Sequence, residues 1–474
     1  MSAGRSYWER SMKSMKSVSK RRIAVAALLA ICAGVLVWVV AVGPQGSPPD
    51  ASEEQTTAAA PAAELDCGEG QEISRSLSSG ATWSMCWSID PDMGLVVSDI
   101  HLTPPGEEPI SIIDSLSLSQ LEVPYDDGGR NTHDITESGF GGTKMKTLGE
   151  DICTGSILDA DIPNIGDGTY GESETRGVLC SSEVDGGVAY HSSDAVAPAA
   201  TRKTDLQLFT VSRVGWYEYI TEYTFGADGS IDVQLGATGD LSPVDYSDEE
   251  HGWDVGEDEH ATSHSHNAVW RVNWALGGDG GMQVQQFDAE RTGEMGDESA
   301  ELTGQLTSLT HPTTAKWQDR RWWRVLNPEV LNEDGHPISY QIEMEKTDSF
   351  VFADVLADAG TDAHAHAHET GYDVAFTNFD ECERFAVKNT GDCGDGVEDF
   401  VDDGAEETLD DVVSWVAVGY HHVPRDEDQS PMEMHWQGFA LQPRDLTAQR
   451  FDVPEGHEEV NGVPDSEWRE SPTG

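Results

Sequence analysis

The sequence predicts an all-β fold, a large β-sandwich preceded by one transmembrane helix. Two patterns carry the sandwich. Short apolar or alternating runs recur with Gly, Pro, Asp and Asn between them, including Trp83–Ile89, Gly94–Leu102, Pro109–Ile113 and Leu116–Val123. Few windows show a helical period, which is the signature of many short strands. The helix rests on a third pattern: Ile23–Val42 carries no charge, and about 20 apolar residues cross a bilayer core.

The elements follow in chain order. Residues 1–22 hold seven basic side chains against a single acid, Glu9, and the residues after the apolar span are polar and acidic. The positive-inside rule therefore places the N-terminus in the cytoplasm and the remainder outside a cell membrane crossed once at 23–42. A cleaved signal peptide is the alternative, although its apolar region is normally shorter, roughly 7–15 residues. Residues 43–64, rich in Pro, Ala, Ser and Gln, read as a flexible stalk. A globular body spans 65–450, and 451–474 form a polar tail.

The clearest strands lie in Leu206–Gly239. Along Tyr217–Phe225 the odd positions Tyr217, Tyr219, Thr221, Tyr223 and Phe225 share one face. Asp228-Gly229 is a hairpin turn signal. Ile231, Val233 and Leu235 alternate with polar residues on the return strand.

Charge narrows the partners. With 87 acidic and 28 basic residues the formal charge is −59, which argues against nucleic acid, whose phosphates would be repelled. The acid is spread along the chain, as a carboxylate surface that keeps protein soluble at high salt would be; an acidic surface tuned to cationic substrates is the alternative, and the two are compatible. Of seven cysteines, Cys32 lies in the apolar span. The other six suggest three disulfides in an oxidising compartment; fifteen pairings are open, and sequence neighbours suggest 67–86, 153–180 and 382–393. No CxxC pair supports zinc instead.

Several segments could carry chemistry. His264 and His266 form HSH ahead of NAVWRVNWAL; on a strand their imidazoles share a face and could grip one metal. GYHHVPRDEDQSPMEM contains His421 and His422, and LEVPY ends in Tyr125. Asp134 stands 83 residues before Tyr217 in RNTHDITESGFGG, with Asp126, Asp127 and Glu137 nearby. His364, His366 and His368 form HAHAH in an acidic stretch that reads as a solvated loop or an opportunistic metal scavenger.

Together these segments resemble the copper amine oxidases. GWYEY, a hairpin and DGSIDVQLGATG resemble the family's core, where a tyrosine followed by an acidic residue is oxidised in place to topaquinone; Tyr217, followed by Glu218, matches it. The match departs at Arg213, where the family has Thr, and at Trp216, where it has Asn. The family's Asn restrains the quinone ring, whereas Trp is bulkier and accepts no hydrogen bond. The resemblance implies Cu(II) on His264, His266 and His422, since His422-Val-Pro-Arg425 sets the register with Glu427, Asp428, Pro431 and Met432 following. Three neutral imidazoles suit Cu(II). It also implies Asp134 as general base, Tyr125 beside the quinone oxygen, a 153–180 disulfide and a homodimer. A weaker second site, for calcium, would use Asp411 and Asn273, the latter an Asn where the family has Asp. The implied reaction deaminates a small primary amine with O2, giving aldehyde, ammonia and hydrogen peroxide. The family's N-terminal domains have no counterpart here. An inactive, copper-binding surface protein is the alternative, and an acidic adhesin of unrelated β fold a third.

Overall fold

Alternation of apolar and polar side chains produces two large antiparallel sheets that pack face to face. The computed structural model describes residues 62–453 except 128–129, 133–134, 136–138, 167, 193–198, 244–245, 279, 346–347, 349–370, 388, 390–392 and 394–395. The first sheet has nine strands. Its path runs β1 (Glu72–Ser76), β2 (Thr82–Asp90), β3 (Gly94–Thr103), β4 (Ile110–Pro124), β13 (His264–Trp274), β20 (Val412–His422), β19 (Val374–Asn378) and β16 (Thr313–Ala315), with β5 (Arg130–Thr132) paired to β4. The second sheet has ten: β15 (Ala300–Leu309), β14 (Gln283–Met295), β17 (Trp322–Leu331), β18 (Pro337–Glu345), β21 (Met432–Arg444), β10 (Ile231–Gly239), β9 (Tyr217–Phe225), β8 (Ala199–Val214), β7 (Ser173–Ser192) and β6 (Ser156–Pro163). A small hairpin joins β11 (Gly252–Val255) to β12 (Glu259–Thr262).

The expected β-sandwich is therefore present. Tyr217, Tyr219, Thr221, Tyr223 and Phe225 are all buried, as the period-two reading requires. Pro109–Ile113 and Leu116–Val123, read as separate runs, are one strand, β4. Its pairing with β13 shifts register between Asn273 and Trp274, which face Ser115 and Ile113. Asp114 is the exposed extra residue of a bulge rather than a turn.

All eleven residues of β13 are buried, because the strand is covered on both faces. Trp270, Val272 and Trp274 join the core between the sheets. Val269 on the opposite face packs under Tyr372, Trp415 and the short helix α1 (Val397–Asp403), which contributes Val397 and Phe400. Each buried large apolar side chain contributes about 1.5–3 kcal/mol, so this doubly covered strand is a rigid mount for whatever its first residues carry.

All three expected disulfides form: Cys67–Cys86, Cys153–Cys180 and Cys382–Cys393. The Ile23–Val42 span and its flanks, Asp134, Glu137 and the His364–His366–His368 run lie outside the described residues. Among the described residues no helix is long and apolar enough to cross a membrane.

Candidate metal centre

Strand ends from both sheets converge at one end of the sandwich. β13 and β20 pair so that His264 lies opposite His422 and His266 opposite Tyr420. Tyr125, just past the end of β4, bridges to His264. Tyr217 opens β9 on the facing sheet. His264, His266 and His422 are 0%, 1% and 3% exposed, and their ligand atoms all lie within 4.8 Å of one another. His421 points the other way, half-buried, with Nε2 3.1 Å from Asp126. Of the two, His422 is the one whose ring faces His264.

Second partners fix which nitrogens face inward. His264 Nδ1 lies 3.2 Å from the Thr262 carbonyl, which only accepts, so Nδ1 carries the hydrogen and Nε2 the lone pair. His422 Nε2 donates to Asp428 Oδ2 at 3.0 Å, leaving Nδ1 as its lone pair. His266 Nδ1 is 3.1 Å from the Tyr219 hydroxyl, and its Nε2 is buried with no hydrogen-bond partner. His264 Nε2 and His422 Nδ1 are 3.4 Å apart. By these tautomers neither nitrogen donates to the other, and both present acceptors to the same space, as ligands to one cation would. Orientation of ligating imidazoles by carbonyl and carboxylate partners is the usual second layer of a metal site.

Burial pushes the His264 imidazole down to about 3, with His422 adding to the effect. His266 is held well below its ordinary value by burial and by His264. His422 is lowered by burial, partly offset by Asp428. All three are neutral near pH 7, the form that binds metal. Three neutral nitrogens converging on one point suit a borderline transition metal such as Cu(II), not a hard cation.

The Tyr217 hydroxyl sits 2.6 Å from His264 Nε2 and donates to it. Its ring lies 4.7 Å from His266 and 5.5 Å from His264, edge-on to both. Tyr125 stacks on the other side of His264 at 4.5 Å and 21°. Tyr217 is 2% exposed, so its phenol is enclosed against the imidazoles. Where Gly239 faces Tyr217 across the β9–β10 pair, its φ is 113°, and a Cβ there would lie 2.6 Å from the Trp216 carbonyl and 3.3 Å from Tyr217 Cα. Glycine is what lets the return strand come this close.

A sequence profile described as the copper amine oxidase enzyme domain matches residues 75–457. The chain belongs to the copper amine oxidase family. It is 25% identical over 426 residues to primary amine oxidase 2 of Arabidopsis thaliana, covering 84% of this chain and 61% of that one. It is 26% identical over 384 residues to the histamine oxidase of Arthrobacter globiformis, covering 77% of this chain and 55% of that one. The crystal structure of a copper-containing benzylamine oxidase from Hansenula polymorpha superposes with a TM-score of 0.66 at 23% identity, covering 86% and 66% of the two chains, and shows the shared fold. The chain thus spans about three fifths of the length of these curated relatives. Copper and topaquinone are the cofactors of this family, and the three-histidine cluster is where this member would hold the metal.

The remaining expected site residues are placed as follows. Asp134 lies outside the described residues, between Asp126, which accepts from Ser263 Oγ at 2.6 Å, and the buried Ile135. Trp216, in the two-residue turn between β8 and β9, is 42% exposed. Asn273 Nδ2 donates to Asp114 Oδ2 at 2.8 Å, and its Oδ1 is buried without a partner. Asp411 is exposed, two residues before Val413, the cross-strand partner of Asn273. The charge of the buried Arg271 guanidinium is felt there: Asp114 and Asp411 both counter the lowering that burial imposes on it. Among the described residues no second cluster of three His, Cys, Asp or Glu ligands accompanies the histidine trio.

Proposed function

We propose that the chain is the catalytic domain of a primary amine oxidase, deaminating a small primary amine with O2 to aldehyde, ammonia and hydrogen peroxide, with Cu(II) and a quinone made from Tyr217. The observation that carries this is the Tyr217 hydroxyl 2.6 Å from His264 inside a buried three-imidazole cluster. A phenol that is to be oxidised at a metal must be held beside it. When bound, copper and the quinone supply the electron-transfer chemistry that amino-acid side chains lack.

The protein's own contribution is placement. Thr262 and Asp428 fix two imidazoles in single tautomers, so His264 and His422 turn lone pairs inward without a proton having to leave first. Tyr125 stacks on the His264 ring, and His264 and His266 both meet the Tyr217 ring edge-on. Asp134 is the base that removes the substrate's α-proton, on the strength of its match to the family pattern and its distance in sequence from Tyr217. Amine oxidases named for histamine and benzylamine are among the similar proteins, which supports an amine substrate without choosing one.

Two features of the setting belong to the same proposal. The basic–apolar–acidic order of residues 1–64 supports a single-pass anchor with the body outside the cell. The long β14–β15 hairpin, with Met295, Leu302 and Leu306 exposed, supports a homodimer in which a second copy covers it. Copper-loaded, aerated protein treated with phenylhydrazine should develop a coloured adduct, and should release peroxide with a panel of small primary amines. Stoichiometric copper with neither adduct nor peroxide would overturn the enzymatic reading and leave a copper-binding protein.

A further inference from the structure

A fourth histidine stands at this end of the sandwich. His435 lies on β21, opposite Ala237 of β10. It has the inward parity of that strand: Gln437 donates to the His266 carbonyl at 2.9 Å, and Phe439 and Leu441 enter the core. The His435 ring is 4.5 Å from that of His422 and 6.0 Å from that of His266. The His264 ring is 5.0 Å from each of the same two. The four imidazoles therefore close a quadrilateral, with His264 and His435 at opposite corners. His435 Nε2 is buried with no hydrogen-bond partner, a state it shares with His266 Nε2 and one that is costly for a polar atom.

The geometry points to His435 as a fourth imidazole donor to the ion held by His264, His266 and His422. The inference rests on the copper reading of that trio. Cu(II) with nitrogen ligands favours tetragonal coordination, and four rings around a quadrilateral meet it where three leave a corner open. The ligand atoms of the trio already lie within 4.8 Å of one another, and His435 is outside that group; ligation requires its ring to turn away from its stack on Tyr420, at 4.8 Å and 13°. His435 thus offers one corner in two states: stacked on Tyr420, or bound to the ion.

The full-length chain, loaded under argon with one equivalent of Cu(II), is read by pulsed electron paramagnetic resonance for the number of coordinated imidazoles, and by chelator competition for affinity. The wild type should show four imidazoles. His435→Ala and His435→Gln should each show three, with copper affinity lower by about 10–100-fold, at least the loss that removing an outer-layer partner causes. Thermal melting of the metal-free variants reports whether they fold, and the wild-type count decides the matter if neither does. Three imidazoles in the wild type, with unchanged affinity in a folded variant, would make His435 a packing residue only and sink this proposal while sparing the trio. A wild type that takes up no copper would remove both.

Discussion

Asp428 offers the sharpest test of how the metal ligands are aimed. It is 1% exposed, and its Oδ2 accepts from His422 Nε2 and from the Arg425 backbone N–H, both at 3.0 Å. Asp428→Ala would free His422 to take either tautomer or rotate, and would strand two buried N–H groups. Each stranded donor costs about 1–3 kcal/mol of stability. Loss of such an orienting partner weakens metal binding by about 10–100-fold, which is about 1.4–2.7 kcal/mol. Asp428→Asn can place its amide oxygen where Oδ2 now sits and satisfy both donors, so its loss of affinity should stay under about tenfold. Copper titration against a competing chelator, alongside urea unfolding of the metal-free forms, separates the two contributions. An alanine variant that binds copper as tightly as the wild type would refute the claim that Asp428 fixes the direction of the His422 lone pair.

Three further outcomes are expected. Tyr217→Phe should bind copper fully yet give no coloured adduct with phenylhydrazine, since the pocket stays filled while the oxidisable hydroxyl is gone; an adduct in this variant would place the quinone elsewhere. Trp216→Asn should change stability by no more than about 1 kcal/mol, because the side chain is 42% exposed in a two-residue turn, and should raise hydrazine reactivity if the family residue steadies the ring. The metal-free protein should lose stability as pH falls from about 6.5 toward 3. His264 stays neutral when folded down to about 3, whereas the unfolded chain takes up a proton below about 6.5. The unfolded state then binds more protons, and His264 alone gives a slope of about 1.4 kcal/mol per pH unit. Urea midpoints at pH 7 and pH 5 should differ in the wild type and differ less in His264→Gln; equal differences would place the imidazole in contact with solvent.

The readable parts of the site were those written on single strands. His264 and His266 are two apart, and His422 sits in a run whose Pro, Arg, Glu and Asp follow at fixed offsets. Burial alternation along Tyr217–Phe225 was equally local. What stayed hidden depended on the packing of one sheet against the other. Tyr219 showed its inward parity, but not that its hydroxyl would meet His266. His435 had only a position thirteen residues past His422 and an inward parity on its strand; its approach to the other rings is set by how β21 faces β20. The bulge at Asp114 was equally invisible, because a polar residue inside an apolar run looks the same at a turn and at a bulge.

The pairing of His264 with His422 across 158 residues, with Tyr217 facing them from the other sheet, has a bearing on biosynthesis. No chain that stops before β20 can complete this pocket, because its last ring, His422, follows His264 by 158 residues. Until the two sheets close, a nascent polypeptide offers copper only a two-nitrogen clamp in water. On the proposed function, oxidation of Tyr217 would certify a finished sandwich, and a quinone chromophore measured on cells would count correctly folded molecules.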